Sequence, residues 1–254
     1  MNKFLIRLVK NLSFFLIIIF MYVSIAIYIN VDDPNSYPAV IIDKYSRLKE
    51  LKDQNKIVII GGSSSCYSIN SKLLSEEFAL PVVNTSIAMA IEASYQVNSI
   101  KKYLKKGDIV LGFHEYEYYF GNDQGGDFMN TSLFYYPNMF FDFTTTQRFN
   151  FLKSSVRLSS DFYKGKIIGL LAPKKKPLKI GQYSRKSYDI NGDNVFLLDK
   201  VNGIYEPNPK NRYQRMKKKK LSKEYRVMMK EFHEFCVEKG IRLFLGYPPL
   251  ETSE

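Results

Sequence analysis

The sequence predicts an α/β fold with a parallel sheet, joined to an N-terminal membrane helix. Short runs of β-branched residues alternate with segments whose apolar residues recur at helical spacing. The predicted strands of this pattern are Ile57 to Ile60, Val82 to Asn84 and Ile109 to Phe113. Strands that alternate with helices in this way are typical of a parallel sheet with helices on both faces.

The membrane helix is predicted from an uncharged apolar run between Leu12 and Ile29. Its length is close to the roughly 20 apolar residues that cross a bilayer as a helix. Three basic residues precede the run and two aspartates follow it, so the N-terminus is expected in the cytoplasm. A cleaved signal peptide, with a poor cleavage site at Ser24 to Ala26, is the alternative. We therefore expect residues 1–31 to be a cytoplasmic tip and single-pass cell-membrane anchor, and residues 32–254 to be extracytoplasmic.

Helices are predicted on either side of these strands from the spacing of their apolar residues. The inward residues are Val40, Ile41, Tyr45, Leu48 and Leu51 in the first helix, Ile69, Leu73, Leu74 and Phe78 in the second, and Ala93, Val97, Ile100 and Leu104 in the third. A last helix begins at the N-cap Ser222 and precedes a strand from Ile241 to Gly246.

The middle of the chain, around residues 121–215, is predicted to be an irregular insertion. Its aromatic stretch from Phe134 to Phe143 is interpreted as a loop. A helix between Gln147 and Leu171 is expected inside it, with Phe149, Leu152, Val156 and Phe162 toward the core.

The chain carries a formal net charge of +12, in part from lysine clusters at residues 174–176 and 217–220. An exported domain does not meet the genome, and no nucleic-acid-binding motif accompanies the clusters. The charge therefore favours the lipid bilayer and anionic cell-surface polysaccharide as partners. The alternative is that each cluster is an ordinary solvated loop or helix end.

The loop from Gly61 to Ser65 is the strongest candidate for chemistry, because two glycines and three serines directly follow the first strand. It has neither the Gly-x-Gly-x-x-Gly pattern of a dinucleotide site nor the Gly-Lys-Ser end of a nucleotide-triphosphate loop. It also lacks the second glycine of an α/β-hydrolase elbow, because Ser65 stands there. We expect neither a cofactor nor a metal ion.

This loop resembles the first block of the SGNH (or GDSL) hydrolase family, a hydrophobic strand followed by Gly-Asp-Ser. Gly62 stands at the position of the Asp, and Ser63 stands at that of the nucleophile. After the second strand, Ser86 stands where the family has its oxyanion glycine. After the third strand, His114 stands at the family's oxyanion asparagine and is followed by Glu115.

The resemblance implies a three-layer α/β/α, flavodoxin-like sheet with Ser63 as the catalytic nucleophile. It also implies that the Ser86 amide and His114 hold the oxyanion, because a backbone amide can donate whatever its side chain is. For His114 two alternatives remain, a repurposed base and an ordinary residue at a strand end.

The family's catalytic Asp-x-x-His near the C-terminus is absent from this sequence, which contains two histidines. His233, the second histidine, is expected at the surface or in helix packing. The helix that normally covers the last strand is also expected to be missing. We interpret both absences as truncation of a longer hydrolase, with true loss in a pseudoenzyme as the alternative.

By resemblance, the chain is a membrane-anchored serine esterase or O-acyltransferase that acts on cell-surface polysaccharide, incomplete or inactive in this form. The alternative is a non-catalytic pseudo-hydrolase that binds or scaffolds polysaccharide-assembly membrane proteins. The missing base favours the alternative, whereas agreement at three strand ends favours enzyme ancestry.

Overall fold

The computed structural model describes residues 3–29, 35–121, 126–171, 181, 183–198 and 220–247. In these ranges the strands are β1 (Ile57–Gly61), β2 (Val82–Asn84), β3 (Ile109–Phe113) and β4 (Arg242–Leu245). The helices are α1 (Lys3–Ile29), α2 (Val40–Glu50), α3 (Ser63–Ser68), α4 (Ser71–Phe78), α5 (Ala93–Lys101), α6 (Tyr116–Phe120), α7 (Asp127–Tyr135), α8 (Met139–Asp142), α9 (Thr145–Leu171), α10 (Val195–Leu198) and α11 (Lys223–Lys239), with a 3₁₀ turn at Arg185–Ser187.

The strands form a parallel sheet in the order β2, β1, β3, β4. Every residue of β1 is buried, as expected for a central strand that is covered on both faces. Ile57 pairs with Val82 on one side and with Ile109 on the other. The α/β fold class and its parallel sheet, as predicted from the sequence, are confirmed.

Two apolar clusters cover the faces of the sheet. On one face, strand residues such as Val58 and Val110 pack with buried residues of α2, α5 and α11. On the other face, Ile57, Ile59, Val82 and Ile109 form a smaller cluster, against which Ile69 and Leu74 pack. Burial of these side chains contributes the largest favourable term to folding.

The edge strand β4 is open to solvent on the face of the smaller cluster. Phe244 pairs in register with Leu111, so both side chains point to the same face. Leu111 packs against the smaller cluster, whereas 54% of Phe244 is exposed. This face of β4 is therefore exposed among the described residues, and the expected loss of the covering helix stays a prediction.

The prediction that Leu73 and Phe78 face inward is wrong, because both side chains are exposed. The chain makes two helices here, and α4 starts anew at the N-cap Asn70, whose side chain accepts a hydrogen bond from Leu73 N at 3.0 Å. Because α3 and α4 are separate helices, the residues of α4 do not face the directions that one continuous helix would give them. Leu74 and the preceding Ile69 pack toward the sheet as predicted.

The predicted loop from Phe134 to Phe143 is also wrong. Residues 127–135 and 139–142 are helical, and Phe134, Met139 and Phe143 are buried in the larger cluster. The predicted insertion therefore contributes helices and core residues over the part that is described. The lysines at 174–176 and 217–219 lie outside the described residues.

The helix predicted between Gln147 and Leu171 is confirmed as α9, but most of its predicted inward face is wrong. Phe149, Leu152 and Val156 are exposed, and only Phe162 packs against the core. The buried face instead carries Gln147, Phe151, Ser155, Leu158 and Ser159. Three of these five residues are polar. A prediction from the spacing of apolar residues alone therefore assigns the opposite face of α9 to the core.

Helix α1 is long and apolar enough to cross a membrane. It has 27 residues, and its most apolar 18-residue window has a mean hydropathy of 2.6. Most of its side chains up to Met21 are exposed, whereas Val23, Ala26 and Ile27 belong to the larger apolar cluster. The last turns of α1 are therefore part of the domain core.

A buried ion pair joins the start of β1 to the start of β3. Lys56 Nζ donates to Asp108 Oδ2 at 2.7 Å, and both side chains are fully buried. The same carboxylate accepts hydrogen bonds from the backbone amides of Lys56 and Lys105. Removing one partner of such a pair leaves an uncompensated charge in the interior.

We predict that Asp108→Ala lowers the free energy of unfolding by about 3–5 kcal/mol, because the Lys56 ammonium loses its counterion. Asp127→Ala is the matched control, since its carboxylate pairs with Arg157 at the surface. That change should cost less than about 1 kcal/mol. Denaturant unfolding of both variants in detergent micelles measures the difference, and equal midpoints would contradict the prediction.

Candidate functional site

The candidate site lies at the carboxyl ends of β1, β2 and β3. Because β1 and β3 are neighbours with Gly61 paired to Phe113, the loops that follow them start side by side. The first loop leads into α3 at Ser63, and the second contains His114 and Glu115. Ligand sites of open α/β sheets form at this edge.

The carboxylate of Glu115 is the centre of this arrangement. It is almost fully buried, and its Oε1 accepts hydrogen bonds from Ser64 N at 3.0 Å and from Ser64 Oγ at 3.2 Å. Ser63 Oγ donates to the same oxygen at 3.4 Å. Glu115 Oε2 is buried and accepts no hydrogen bond from a described residue.

Gly62 permits this contact between the two loops. A Cβ atom at residue 62 would overlap the Glu115 carboxylate, so a larger residue could not sit there without moving Glu115. This close approach accounts for the glycine at the position where the resembled family has Asp. Ser65 adds a second link, because its Oγ donates to Phe113 O at 3.0 Å.

Ser63 lies at the first position of α3 and is half-buried. Its hydroxyl hydrogen is directed to a carboxylate, not to an imidazole. Neither His114 nor His233 makes a hydrogen bond to it, and His233 is exposed on α11. Glu115 is therefore the titratable group hydrogen-bonded to Ser63 in the described part of the chain.

Ser86 is buried, and its backbone amide donates to Asn84 Oδ1 at 3.1 Å. The side-chain amide of Asn84 in turn donates to Ser65 O at 3.1 Å and to Asp193 Oδ1 at 2.9 Å. An oxyanion that used the Ser86 amide would have to replace its bond to Asn84. The assignment of Ser86 as an oxyanion donor stays a prediction.

His114 is buried between two tyrosine rings, and its Nδ1 lies 2.9 Å from the hydroxyl of Tyr225. Its Nε2 is buried without a hydrogen bond to any described residue. Burial lowers the pKa of the imidazole from 6.5 to about 4, so the ring is neutral at pH 7. A neutral imidazole has one N–H, so it can donate through one nitrogen only.

Sequence reasoning missed Lys44, whose ammonium is fully buried behind the end of β2. Lys44 Nζ donates to Asn84 O at 2.9 Å and to the carbonyl of Gly192, and it lies 4.0 Å from Cys66 Sγ. Burial lowers the pKa of this ammonium. The helical spacing of Val40 and Ile41 already places Lys44 on the buried face of α2, which is the signal that could have found it.

Asp193 was also missed, because its turn lies in the predicted insertion. Its carboxylate accepts hydrogen bonds from Ser71 N and Ser71 Oγ at the start of α4, as well as from Asn84. Burial raises the pKa of Asp193, and these hydrogen bonds oppose that shift. Lys44 and Asp193 thus tie the insertion to the strand ends beside Ser63.

A cavity of about 210 Å³ lies next to the site, between α5, α6 and α11. Its lining residues include Glu92, Glu117, Tyr118 and Tyr225, and the rings of both tyrosines also contact His114. Ser63 and Ser86 do not line it. Over the described ranges, no group of three or more His, Cys, Asp or Glu residues could hold a metal ion.

We predict that Gly62→Ala destabilises the protein, because the added Cβ displaces the Glu115 carboxylate from its serine donors. The cost should reach about 1–3 kcal/mol, the range for a buried acceptor left without its donors. In Gly62→Ala/Glu115→Ala the two losses should be less than additive. Gly126→Ala, with nothing within 4 Å of its Cβ, is the control for the added methyl group. Additive losses in urea titrations would show that the two residues do not interact.

We predict that His114 makes stability fall on acidification. Between pH 6.5 and about 4 the unfolded chain binds a proton that folded His114 does not, so the free energy of unfolding decreases as the pH falls through this window. At about 1.4 kcal/mol per pKa unit the loss approaches roughly 3 kcal/mol. The difference in the free energy of unfolding between pH 7 and 4.5 should be smaller for His114→Gln than for the parent protein, whereas the control His233→Gln should keep the parent's difference. If the free energy of unfolding of His114→Gln changes with pH as steeply as that of the parent protein, the prediction is wrong.

No protein-family model matches the chain, and no curated protein or solved structure is significantly similar to it. The fold and the geometry at its strand ends are therefore the observations from which a function can be proposed.

Proposed function

We propose that the chain is a membrane-anchored, SGNH-like serine esterase or O-acyltransferase that acts on acyl groups of a cell-surface polysaccharide. The observation that carries this proposal is the position of Ser63. It follows the central strand directly, begins a helix, and has its hydroxyl hydrogen-bonded to the buried carboxylate of Glu115. A serine at the carboxyl edge of a parallel sheet can reach a substrate that binds there.

In the proposed reaction Ser63 Oγ attacks the carbonyl carbon of an acyl ester, and the alcohol of that ester leaves. Hydrolysis or transfer to a second hydroxyl then releases the acyl group from Ser63. Glu115 orients the hydroxyl and is the acceptor nearest to its proton among described residues. Because a serine is a weak nucleophile without an oriented base, we expect slow turnover or none from this chain.

The placement of the anchor supports a substrate near the membrane. Tyr37, between α1 and α2, donates to Ile87 O at 2.6 Å, just beyond β2. It also contacts the hydroxyl of Tyr67 on α3 at 3.3 Å. The chain that leaves α1 therefore enters the domain at the same edge of the sheet as Ser63.

A non-catalytic role in binding or scaffolding polysaccharide-assembly membrane proteins is the second candidate. The observation that favours it is the hydrogen bonding of the proposed machinery. His114 bonds to Tyr225, the Ser86 amide bonds to Asn84, and no imidazole is bonded to Ser63. Each of these hydrogen bonds is made within the fold, as in a domain that uses the residues for structure.

A fluorophosphonate probe separates the two functions, because it forms a covalent bond only with an activated serine. For an enzyme we expect labelling of the full chain in membranes, loss of labelling in Ser63→Ala and retention in Ser68→Ala. Ser68 is the matched control, since its hydroxyl on the same helix donates to a backbone carbonyl. Absence of labelling in the parent protein would favour the binding role and count against the esterase.

A further inference from the structure

Helices α1 and α9 cross each other at a pair of tyrosines. The ring centroids of Tyr22 and Tyr163 are 4.9 Å apart, and Tyr163 Oη donates to Tyr22 O at 2.9 Å. The hydroxyl of Tyr22 also lies 3.0 Å from Ser160 Oγ. Two polar contacts and a ring contact thus fix the crossing point.

The buried parts of the two helices lie on opposite sides of the crossing along the sequence. In α1 they follow Tyr22, and in α9 they precede Tyr163. In α1 one side of the helix after Tyr22 belongs to the domain core, with Val23, Ala26 and Ile27, whereas Phe14 before it is exposed. In α9 one side of the helix before Tyr163 belongs to the core, including Leu158, whereas residues 164–168 after it are exposed. The two helices therefore leave the domain at the same place, α1 with its N-terminal part and α9 with its C-terminal part.

The part of α9 that leaves the domain has the composition of a segment at a membrane interface. Residues 164–171 contain two lysines, two glycines and four aliphatic residues, with no acidic residue. The side chains of Ile167 and Ile168 are 56% and 66% exposed, and the Lys164 side chain is exposed beside them. Lysine can keep its ammonium among lipid headgroups while neighbouring aliphatic groups enter the acyl chains.

We propose that the C-terminal end of α9, residues 164–171, inserts into the outer leaflet beside α1, with bilayer lipid as its occupant. This inference rests on the proposed membrane insertion of α1. Because α9 leaves the domain where α1 does, its end reaches the lipid that surrounds α1. Eight helical residues extend about 12 Å, which is within one leaflet of a bilayer core about 30 Å thick.

The experiment places a polarity-sensitive nitrobenzoxadiazole label on single introduced cysteines in the full chain. The chain is reconstituted at a low ratio of protein to lipid in vesicles of phosphatidylcholine and phosphatidylglycerol. Ile168→Cys reports on the end of α9, Phe14→Cys on α1, and Val237→Cys on a 65% exposed apolar position of α11. The native Cys66 and Cys236 are buried, so the unsubstituted protein is the labelling blank.

Doxyl-labelled phosphatidylcholine should quench the Ile168 label to within about a factor of two of the Phe14 label, since both lie in hydrocarbon. The Val237 label should stay unquenched. If the Phe14 label is quenched but the Ile168 label stays unquenched, as at Val237, this inference is overturned while the proposed membrane insertion of α1 stands. An Ile168 label that is shielded from water but unquenched by lipid indicates a protein partner and also overturns it. An unquenched Phe14 label overturns the anchor and the inference together.

Discussion

The contact between Glu115 and Gly62 is the constraint on which the candidate site depends. A carboxylate loses its hydration when it is buried, so it must be compensated by donors within the fold. The first residues of α3 supply these donors, and the absence of a side chain at residue 62 gives the carboxylate room to reach them. The loops after the two central strands are thereby held in one arrangement, and Ser63 is held with them.

This constraint gives the serines two roles that compete with each other. As donors to Glu115 they stabilise the fold, and this requires their hydrogens to point inward. As a nucleophile, Ser63 would have to give up its proton to a base while its oxygen points to a substrate. A hydroxyl bonded to a carboxylate is already oriented, but Oε1 is shared with Ser64, so Ser63 has only part of the acceptor. In the proposed reaction Glu115 alone would therefore activate Ser63 only weakly.

The sequence predicted the strands well and the helix faces less well, for a physical reason. Three of the four predicted strands, β1 to β3, are mostly buried runs of apolar residues, and such runs can be recognised without knowledge of the tertiary structure. The buried face of α9 carries Gln147, whose side chain bonds to Ser94 Oγ at 2.8 Å on α5, and Ser155, whose hydroxyl donates to Leu152 O. Such a polar face is stable only when its distant partner is in place.

The same holds for the candidate site. Positions 63, 86 and 114 follow from the strand ends, whereas Lys44 and Asp193 act through contacts with residues far along the chain.

The way α1 joins the domain has a consequence for the orientation of the site. If α1 ended before the domain began, the domain could turn freely on a linker, and its strand ends could face any direction. Instead Val23, Ala26 and Ile27 pack in the core, and Tyr22 is bonded to α9. A helix held in this way transmits its own direction to the domain. Tyr37 contacts Ile87 and Tyr67 at the edge that holds Ser63, so this edge and the last turns of α1 pack on the same domain. In the proposed membrane-anchored protein, the packing of α1 would set the direction from which Ser63 meets a substrate.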